Sequence, residues 1–155
     1  MQDRAGRTGR HIVVGVDGSL HSEAALRWAL NQARLTDAHI EALCAWQYPM
    51  AFGFTHAYIP DQGGILSELS QETLDKTIAA ATDDEEPPAD LVRVVVQGNA
   101  AEMLLQAAQD ADLLVLGSHG HGTLAGMLLG SVTQHCVHHA RCPVVVIPAV
   151  HRPTE

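Results

Sequence analysis

Short apolar runs alternate with longer segments of helical periodicity along the whole chain. The apolar runs are rich in valine, isoleucine and leucine, as is typical of strands that are buried on both faces. Between them, apolar residues recur at intervals of three and four, as on one side of a helix. The pattern predicts strands at 11–16, His39–Trp46, 91–96, 113–116 and Val144–Ile147, and helices from residue 19 or 22 to about 35, at 65–81, from residue 98 or 99 to about 110, and at Ser131–His139.

This alternation of five strands with four helices predicts an α/β fold, a parallel sheet with helices on both faces. In such sheets, ligands bind beyond the carboxyl ends of the strands, where the strand order reverses. Two loops of unusual composition follow the first strand, at residues 16–19, and the fourth strand, from Gly117 onward. They meet at one site only if the first and fourth strands are neighbours, as they are in the order 3-2-1-4-5. A further loop is expected at 47–64, where aromatic residues are frequent.

The loop after the fourth strand has the composition of a phosphate-binding site. Residues 117–131, here called the glycine-rich segment, read GSHGHGTLAGMLLGS and hold five glycines. Glycine lets backbone N–H groups approach an anion closely, and the following helix directs its unpaired N–H groups and positive dipole end at the same place. No Asp or Glu occurs between Gly117 and Ala140 to repel that anion.

Two common phosphate-binding motifs do not fit the glycine-rich segment. A Walker loop, G-x-x-x-x-G-K-[ST], requires a lysine after its glycines, and Lys76 is the single lysine of the chain. The dinucleotide-binding motif G-x-G-x-x-G would follow the first strand, where the sequence reads VGVDGS. With no lysine or arginine nearby, phosphate binding is expected to depend on backbone dipoles and a bound Mg²⁺.

The spacing of the glycines is more specific than their number. Gly117 and Gly120 begin a G-x-x-G-x9-G-[ST] pattern that ends at Gly130 and Ser131, and VGVDGS occupies residues 14–19. With both motifs the chain resembles the universal stress protein family, from about residue 11 to 148. The resemblance implies the strand order 3-2-1-4-5 in a Rossmann-like, adenine nucleotide α-hydrolase-like fold. It also implies ATP binding, because in that family the glycine pattern marks the members that hold ATP.

The resemblance also implies a role for each part of the site. The Asp17 carboxylate would accept hydrogen bonds from the ribose or adenine; the alternative is that it only caps the next helix. Main-chain groups at the end of the second strand would contact the adenine, and N–H groups of the glycine-rich segment would contact the phosphates. His119 would donate to a phosphate oxygen, whereas the role of His121 is open. The expected binding residues are Gly15, Val16, Asp17, Ala45, Trp46, Leu116, Gly117, His119, Gly120, His121, Gly130, Ser131 and Val132.

A histidine- and cysteine-rich stretch competes as a candidate zinc site. Zinc sites usually draw their ligands from several segments, whereas these residues crowd one helix and its exit, so no metal site is expected there. The stretch consists of His135, Cys136, His138, His139 and Cys142.

No catalytic residue is assigned either, because the phosphate site lacks a carboxylate base and an arginine finger. The sequence therefore favours an ATP-binding regulatory protein of the stress response, which acts through a conformational or assembly change. Slow ATP hydrolysis or autophosphorylation, and binding of AMP or a cyclic nucleotide, are the alternatives.

Length and composition limit the remaining possibilities. The 155 residues, 46% hydrophobic, predict one domain at 11–150 behind a basic, disordered tail at 1–10. A net charge of −9 disfavours nucleic acid and anionic membranes as partners. No apolar run approaches the roughly 18 residues of a membrane span. Three cysteines without a CxxC pair indicate a reducing compartment, and we expect the cytoplasm.

An assembly is also predicted. In the order 3-2-1-4-5 the last strand lies at the edge of the sheet, and its sequence is apolar. An exposed apolar edge is a surface for strand pairing, so a two-fold homodimer is expected through Val144–Ile147.

Overall fold

A computed structural model of the chain describes residues 9–48, 62–88, 90–120 and 128–148. Strands and helices alternate through these residues, and a 3₁₀ turn at Ala108–Asp110 follows the third helix. The strands are β1 (His11–Gly15), β2 (His39–Trp46), β3 (Val92–Gln97), β4 (Leu113–Gly117) and β5 (Val144–Ile147), and the helices are α1 (Leu20–Thr36), α2 (Gln62–Ala81), α3 (Ala100–Ala107) and α4 (Ser131–His139).

The five strands form one parallel sheet in the order β3-β2-β1-β4-β5, as predicted. β1 is the central strand, and its residue Val14 pairs with Ala42 of β2 on one side and with Val115 of β4 on the other. The carboxyl ends of β1 and β4 are therefore adjacent, so that the two unusual loops leave the sheet side by side.

Two apolar layers enclose the sheet. Successive side chains of a strand point to opposite faces, and in β1 this alternation sends Val14 into the layer under α1 and α2 and Val13 into the layer under α3 and α4. Both valines have no exposed surface, and burial of such a side chain stabilises a fold by roughly 1.5–3 kcal/mol. The strands that carry the two loops are thus the most buried part of the molecule.

Several boundaries differ from the sequence-based ones. β1 ends at Gly15 rather than at residue 16, because the chain turns through Gly18, whose φ is 83°. α2 begins at Gln62, three residues earlier than predicted, since the first turn of a helix tolerates glycine better than its interior does. The rest of the predicted 47–64 loop, residues 49–61, lies outside the described residues, as does 1–8 of the predicted tail. None of the helices described is both long and apolar enough to cross a membrane.

Candidate functional site

The carboxyl ends of β1, β2 and β4 border a cleft of about 140 Å³. Eleven of the thirteen residues predicted to bind a nucleotide line this cleft, although they come from four separate stretches of the chain. They are Gly15, Val16, Asp17, Ala45, Leu116, Gly117, His119, Gly120, Gly130, Ser131 and Val132.

The two other predicted residues are placed differently. Trp46 is not among the residues that line the cleft; its ring packs edge-on against Tyr48, with centroids 5.6 Å apart. The main-chain carbonyl of Trp46 accepts a hydrogen bond of 2.8 Å from the N–H of Gly98. His121 lies outside the described residues, and its role stays a prediction.

The cleft has further lining residues that the sequence analysis did not identify. Leu43 and Leu104 belong to the apolar layer under α3 and α4, and they give the cleft an apolar wall. They were missed because their periodicity marks them only as core residues. That they also border the cleft follows only from the pairing of the strands, which the sequence does not show. The full set of additional residues is Ser22, Leu43, Ala100, Leu104 and Thr133.

The start of α4 faces the cleft without a side-chain cap. Its N-cap residue is Gly130, with φ −68° and ψ 162°, and the first turn holds no acidic residue. The Gly130 N–H donates to the carbonyl of Ser118 at 2.8 Å, and Thr133 Oγ1 donates to the carbonyl of Gly117 at 2.8 Å. These two bonds hold the first turn of α4 against the end of β4. Its N–H groups and positive dipole end therefore lie at the cleft, as an anion site requires.

Asp17 lines the cleft from the loop after β1, beside Gly120. Its Oδ1 accepts hydrogen bonds from the N–H of Ser19 at 2.9 Å and from Ser19 Oγ at 2.5 Å. Ser19 is itself the N-cap of α1, where its Oγ accepts from the N–H of Ser22 at 3.1 Å. Ser19 is thus the capping residue of α1, and Asp17 holds Ser19 in place while its own carboxylate remains on the cleft.

Two glycines allow the loops to approach each other this closely. A Cβ at Gly120 would collide with Asp17 Oδ2. A Cβ at Gly117 would lie 2.7 Å from the backbone carbon of His21 in α1, which is closer than real Cβ contacts come. Gly120 is therefore required by its contact with the loop after β1, and Gly117 by its contact with α1, rather than by local backbone conformation.

A buried hydroxyl joins two histidines at the edge of the cleft. Ser118 is 7% exposed, and its Oγ lies 2.9 Å from His119 Nδ1 and 3.2 Å from His21 Nδ1. The two imidazole rings meet edge-on, with centroids 5.2 Å apart. His21 comes from the first turn of α1, and nothing in its sequence context distinguished it from other polar residues of an amphipathic helix.

The competing histidine- and cysteine-rich stretch does not converge on one point. Cys136 has no exposed surface, and burial raises the pKa of its thiol to about 11, which disfavours the thiolate that binds metals. His135 and His139 are exposed, and their rings stack on each other with centroids 4.3 Å apart. Within 9–48, 62–88, 90–120 and 128–148, no three His, Cys, Asp or Glu side chains form a group that could hold a metal ion.

Comparison with known proteins agrees with this fold. A solved universal stress protein, UspA from Lactobacillus plantarum, superposes with a TM-score of 0.68 at 26% identity, over 92% of this chain and 99% of that one. Another, determined in complex with cAMP, superposes with a TM-score of 0.59 at 24% identity, over 93% and 100% of the two chains.

Sequence comparison gives the family. A universal stress protein of Mycobacterium bovis is 34% identical over 138 residues, which are 87% of this chain. The match covers 44% of that relative, so the chain spans less than half of its length. The model of the universal stress protein family matches residues 9–148. With a family match across nearly all of its residues, the chain belongs to the universal stress protein family.

Proposed function

We propose that this chain is a regulatory protein of the stress response that binds an adenine nucleotide, ATP, in the cleft between β1 and β4. The observation that carries the proposal is the uncapped start of α4, held at the cleft that the Asp17 carboxylate also lines. One end of the cleft is thus suited to phosphate, and the other offers an acceptor for hydroxyl or amino groups.

The phosphate end consists of backbone donors. The N–H groups of the first turn of α4 and the Ser131 hydroxyl would bind the phosphate oxygens, and His119 adds a ring nitrogen. No carboxylate lies within the described parts of the glycine-rich segment, and the carboxylate next to it on the cleft is that of Asp17, beside Gly120. Backbone N–H groups at a helix start bind phosphate without a lysine.

The nucleoside end combines apolar and polar groups. Leu43, Ala45 and Leu104 give an apolar wall for the flat adenine. Asp17 contacts Gly120 at the cleft, and a ribose hydroxyl would replace this contact with a hydrogen bond to the carboxylate. The solved universal stress protein in complex with cAMP has the same fold, and it makes a cyclic monophosphate the second candidate ligand.

We propose that Mg²⁺ reaches the site together with the phosphates. Mg²⁺ prefers oxygen ligands and keeps several waters, and it often binds through phosphates and one or two carboxylates. Of the residues that line the cleft, Asp17 alone has a carboxylate, and Ser19 already donates twice to its Oδ1. Phosphate oxygens and water would therefore supply most of the ligands.

The regulatory part of the proposal is a homodimer through β5. Each residue of Val144–Ile147 is half-buried, and the strand is an apolar edge of the sheet. The Ser118 N–H donates to the carbonyl of Ile147 at 2.9 Å, which links the end of this edge to the glycine-rich segment. Nucleotide binding and assembly would therefore affect each other. None of the described residues in the first turn of α4 is a carboxylate base for hydrolysis, so we propose binding rather than turnover.

Calorimetric titration of the full chain with ATP, with and without Mg²⁺, tests the ligand, and AMP, cAMP and GTP serve as competitors. The Gly120→Glu variant should lose ATP binding, because its carboxylate would enter the cleft beside Asp17. Gly9→Glu is the matched control. Gly9 is exposed at the opposite end of β1, where a Cβ would make only an ordinary contact with Asp37, at 3.9 Å.

Binding of ATP by Gly120→Glu with unchanged affinity would show that the nucleotide lies elsewhere. Failure of the wild-type chain to bind any adenine nucleotide would refute the proposed function. For the assembly, sedimentation should find a dimer that Val146→Lys converts to a monomer, because a two-fold edge contact brings the same strand of both copies together. A monomeric wild-type chain would refute the dimer.

A further inference from the structure

We infer that His21, Ser118 and His119 form a hydrogen-bond relay that fixes the tautomers of both imidazoles and makes His21 a positioning residue for the cleft. His21 is not among the residues that line the cleft. It acts through Ser118 on His119, which does line the cleft. Its consequence for the ligand rests on the proposed function, whereas the relay itself does not require a nucleotide.

The central hydroxyl is held in place from both sides. The Ser118 N–H donates to the carbonyl of Ile147 at the end of β5, and the Ser118 carbonyl accepts from the N–H of Gly130 at the start of α4. Gly117 brings α1 so close that a Cβ there would strike the backbone of His21. Because Ser118 is anchored to β5 and α4, its Oγ is a fixed point between the two Nδ1 atoms.

A single hydroxyl between two Nδ1 atoms limits the protonation pattern. Serine carries one O–H and two acceptor lone pairs, so it can donate to at most one of the two Nδ1 atoms, and at least one imidazole must donate an Nδ1–H to it. Hydroxyl donors make shorter hydrogen bonds than N–H donors do. The shorter distance, 2.9 Å to His119 against 3.2 Å to His21, favours His119 as the acceptor and His21 as the donor, and the relay is proposed in this direction.

The direction of the relay determines what His119 offers to the cleft. With Nδ1 accepting from Ser118, neutral His119 carries its proton on Nε2. The imidazole is then an N–H donor without being a cation, and it can donate to a phosphate oxygen at neutral pH. His21 must adopt the opposite tautomer, Nδ1–H, which is the less favoured form of a free imidazole in water. This unusual tautomer is the signature of the relay.

Two-bond ¹H–¹⁵N correlation spectra of the nucleotide-free chain test the relay directly. The spectra are recorded at about pH 8.5, where an ordinary histidine is neutral. We expect His21 as Nδ1–H and His119 as Nε2–H. In Ser118→Ala, His21 should return to the Nε2–H form. An Nε2–H tautomer at His21 in the wild-type chain, or spectra of His21 that Ser118→Ala leaves unchanged, would overturn the inference.

Variants of His21 separate positioning from packing. His21→Ala should weaken ATP binding by roughly 2- to 10-fold, the range of one lost neutral hydrogen bond. His21→Asn should restore most of the affinity, since its Nδ2 occupies the place of imidazole Nδ1. His21→Gln, whose amide nitrogen lies one bond further out, should not. Equal affinities in the Asn and Gln variants would overturn the positioning role.

His138→Ala is the control, because His138 is exposed near the far end of α4. This variant should bind ATP as the wild type does, and a loss as large as that of His21→Ala would overturn the assignment. The two experiments also separate the hypotheses. A chain that shows the predicted tautomers but binds no ATP refutes the proposed function alone, whereas ATP binding with an Nε2–H tautomer at His21 refutes the relay alone.

Discussion

The starts of α1 and α4 both point to the carboxyl edge of the sheet, yet the two helices differ in how their first N–H groups are capped. α1 begins behind Ser19, whose hydroxyl accepts from the N–H of Ser22, and Glu23 lies in its first turn. α4 begins behind Gly130, which has no side chain to cap it, and its first turn holds no acid. The first turn of α1 therefore has a side-chain cap, whereas among the described residues no side chain caps the first turn of α4.

α3 shows that a protein-capped start is the ordinary solution in this molecule. There Asn99 Oδ1 accepts from the N–H of Glu102, and Glu102 supplies a negative charge in the first turn. Of the three helices whose N-cap residue is described, α1 and α3 thus carry a side-chain cap and α4 does not. The missing cap of α4 is a more specific indicator of the site than glycine content.

The largest effect is expected from giving α4 the acid that it lacks. Ser131→Asp would place a carboxylate at the proposed phosphate site, and repulsion over about 4 Å is worth several kcal/mol even near the surface. ATP affinity should fall by about 100-fold or more in calorimetric titration. The free energy of unfolding should stay constant or rise by about 0.3–1 kcal/mol, because an acid at a helix start is favourable.

Gln134→Glu adds the same charge to the exposed side of α4, nearly one turn further along. Its ATP affinity should stay within about threefold of wild type, since the dipole effect falls off beyond the first turn. A similar loss in both variants would mean that the net charge of the chain, rather than the start of α4, controls binding.

A smaller effect is expected from giving α4 the cap that α1 has. In Gly130→Ser, the hydroxyl would accept from a first-turn N–H and compete with the phosphate, and ATP affinity should fall by about 10-fold. The φ of −68° accommodates a side chain, and stability should change by only a few tenths of a kcal/mol. Gly130→Ala, which adds bulk but no acceptor, should lose less affinity. If it loses as much, crowding rather than competition is the cause.

Removing the cap of α1 is the converse experiment. Ser19→Ala should lower the free energy of unfolding by about 1 kcal/mol in urea titration. Because Asp17 also loses the hydroxyl that donates to its Oδ1, ATP affinity should fall by roughly 2- to 5-fold. Unchanged affinity would show that Asp17 does not need Ser19 to hold its position.

The smallest effect is expected at the cap of α3. Its hydrogen bond is exposed and 3.2 Å long, so Asn99→Ala should cost about 0.5 kcal/mol of unfolding free energy in the same urea titration. ATP affinity should not change, because Asn99 is not among the residues that line the cleft. If ATP affinity fell as much as in Ser19→Ala, the loss of a helix cap would weaken binding by lowering the stability of the whole domain.

Hydrophobic periodicity predicted the five strands and four helices because the sheet is buried on both faces and each strand is a compact apolar run. Ends of elements were less predictable. Residue 16 continues the apolar run of β1, yet Gly18 turns the chain immediately afterwards. The strand order required the family resemblance, since periodicity along a chain carries no information about which strands are neighbours.

Residues of the cleft were predictable from the sequence where their backbone role requires a particular residue type, such as glycine. The G-x-x-G-x9-G-[ST] pattern predicted Gly117, Gly120, Gly130 and Ser131, and all four line the cleft. The sequence did not indicate Leu43 or His21. Leu43 borders the cleft only because β1, β2 and β4 are neighbours, and His21 lies beside Ser118 only because α1 packs against Gly117. Side-chain contacts between distant segments are properties of the fold and not of any local pattern.

The two hydrogen bonds that hold α4 against β4, from Gly130 to Ser118 and from Thr133 to Gly117, also bear on the thermodynamics of binding. They preorganise the first turn before any ligand arrives. The conformational entropy of ordering these donors is lost when the chain folds, so it does not reduce the affinity for a nucleotide. No lysine or arginine is among the described residues that line the cleft, so under the proposed function these preorganised backbone donors would carry the binding of the phosphates.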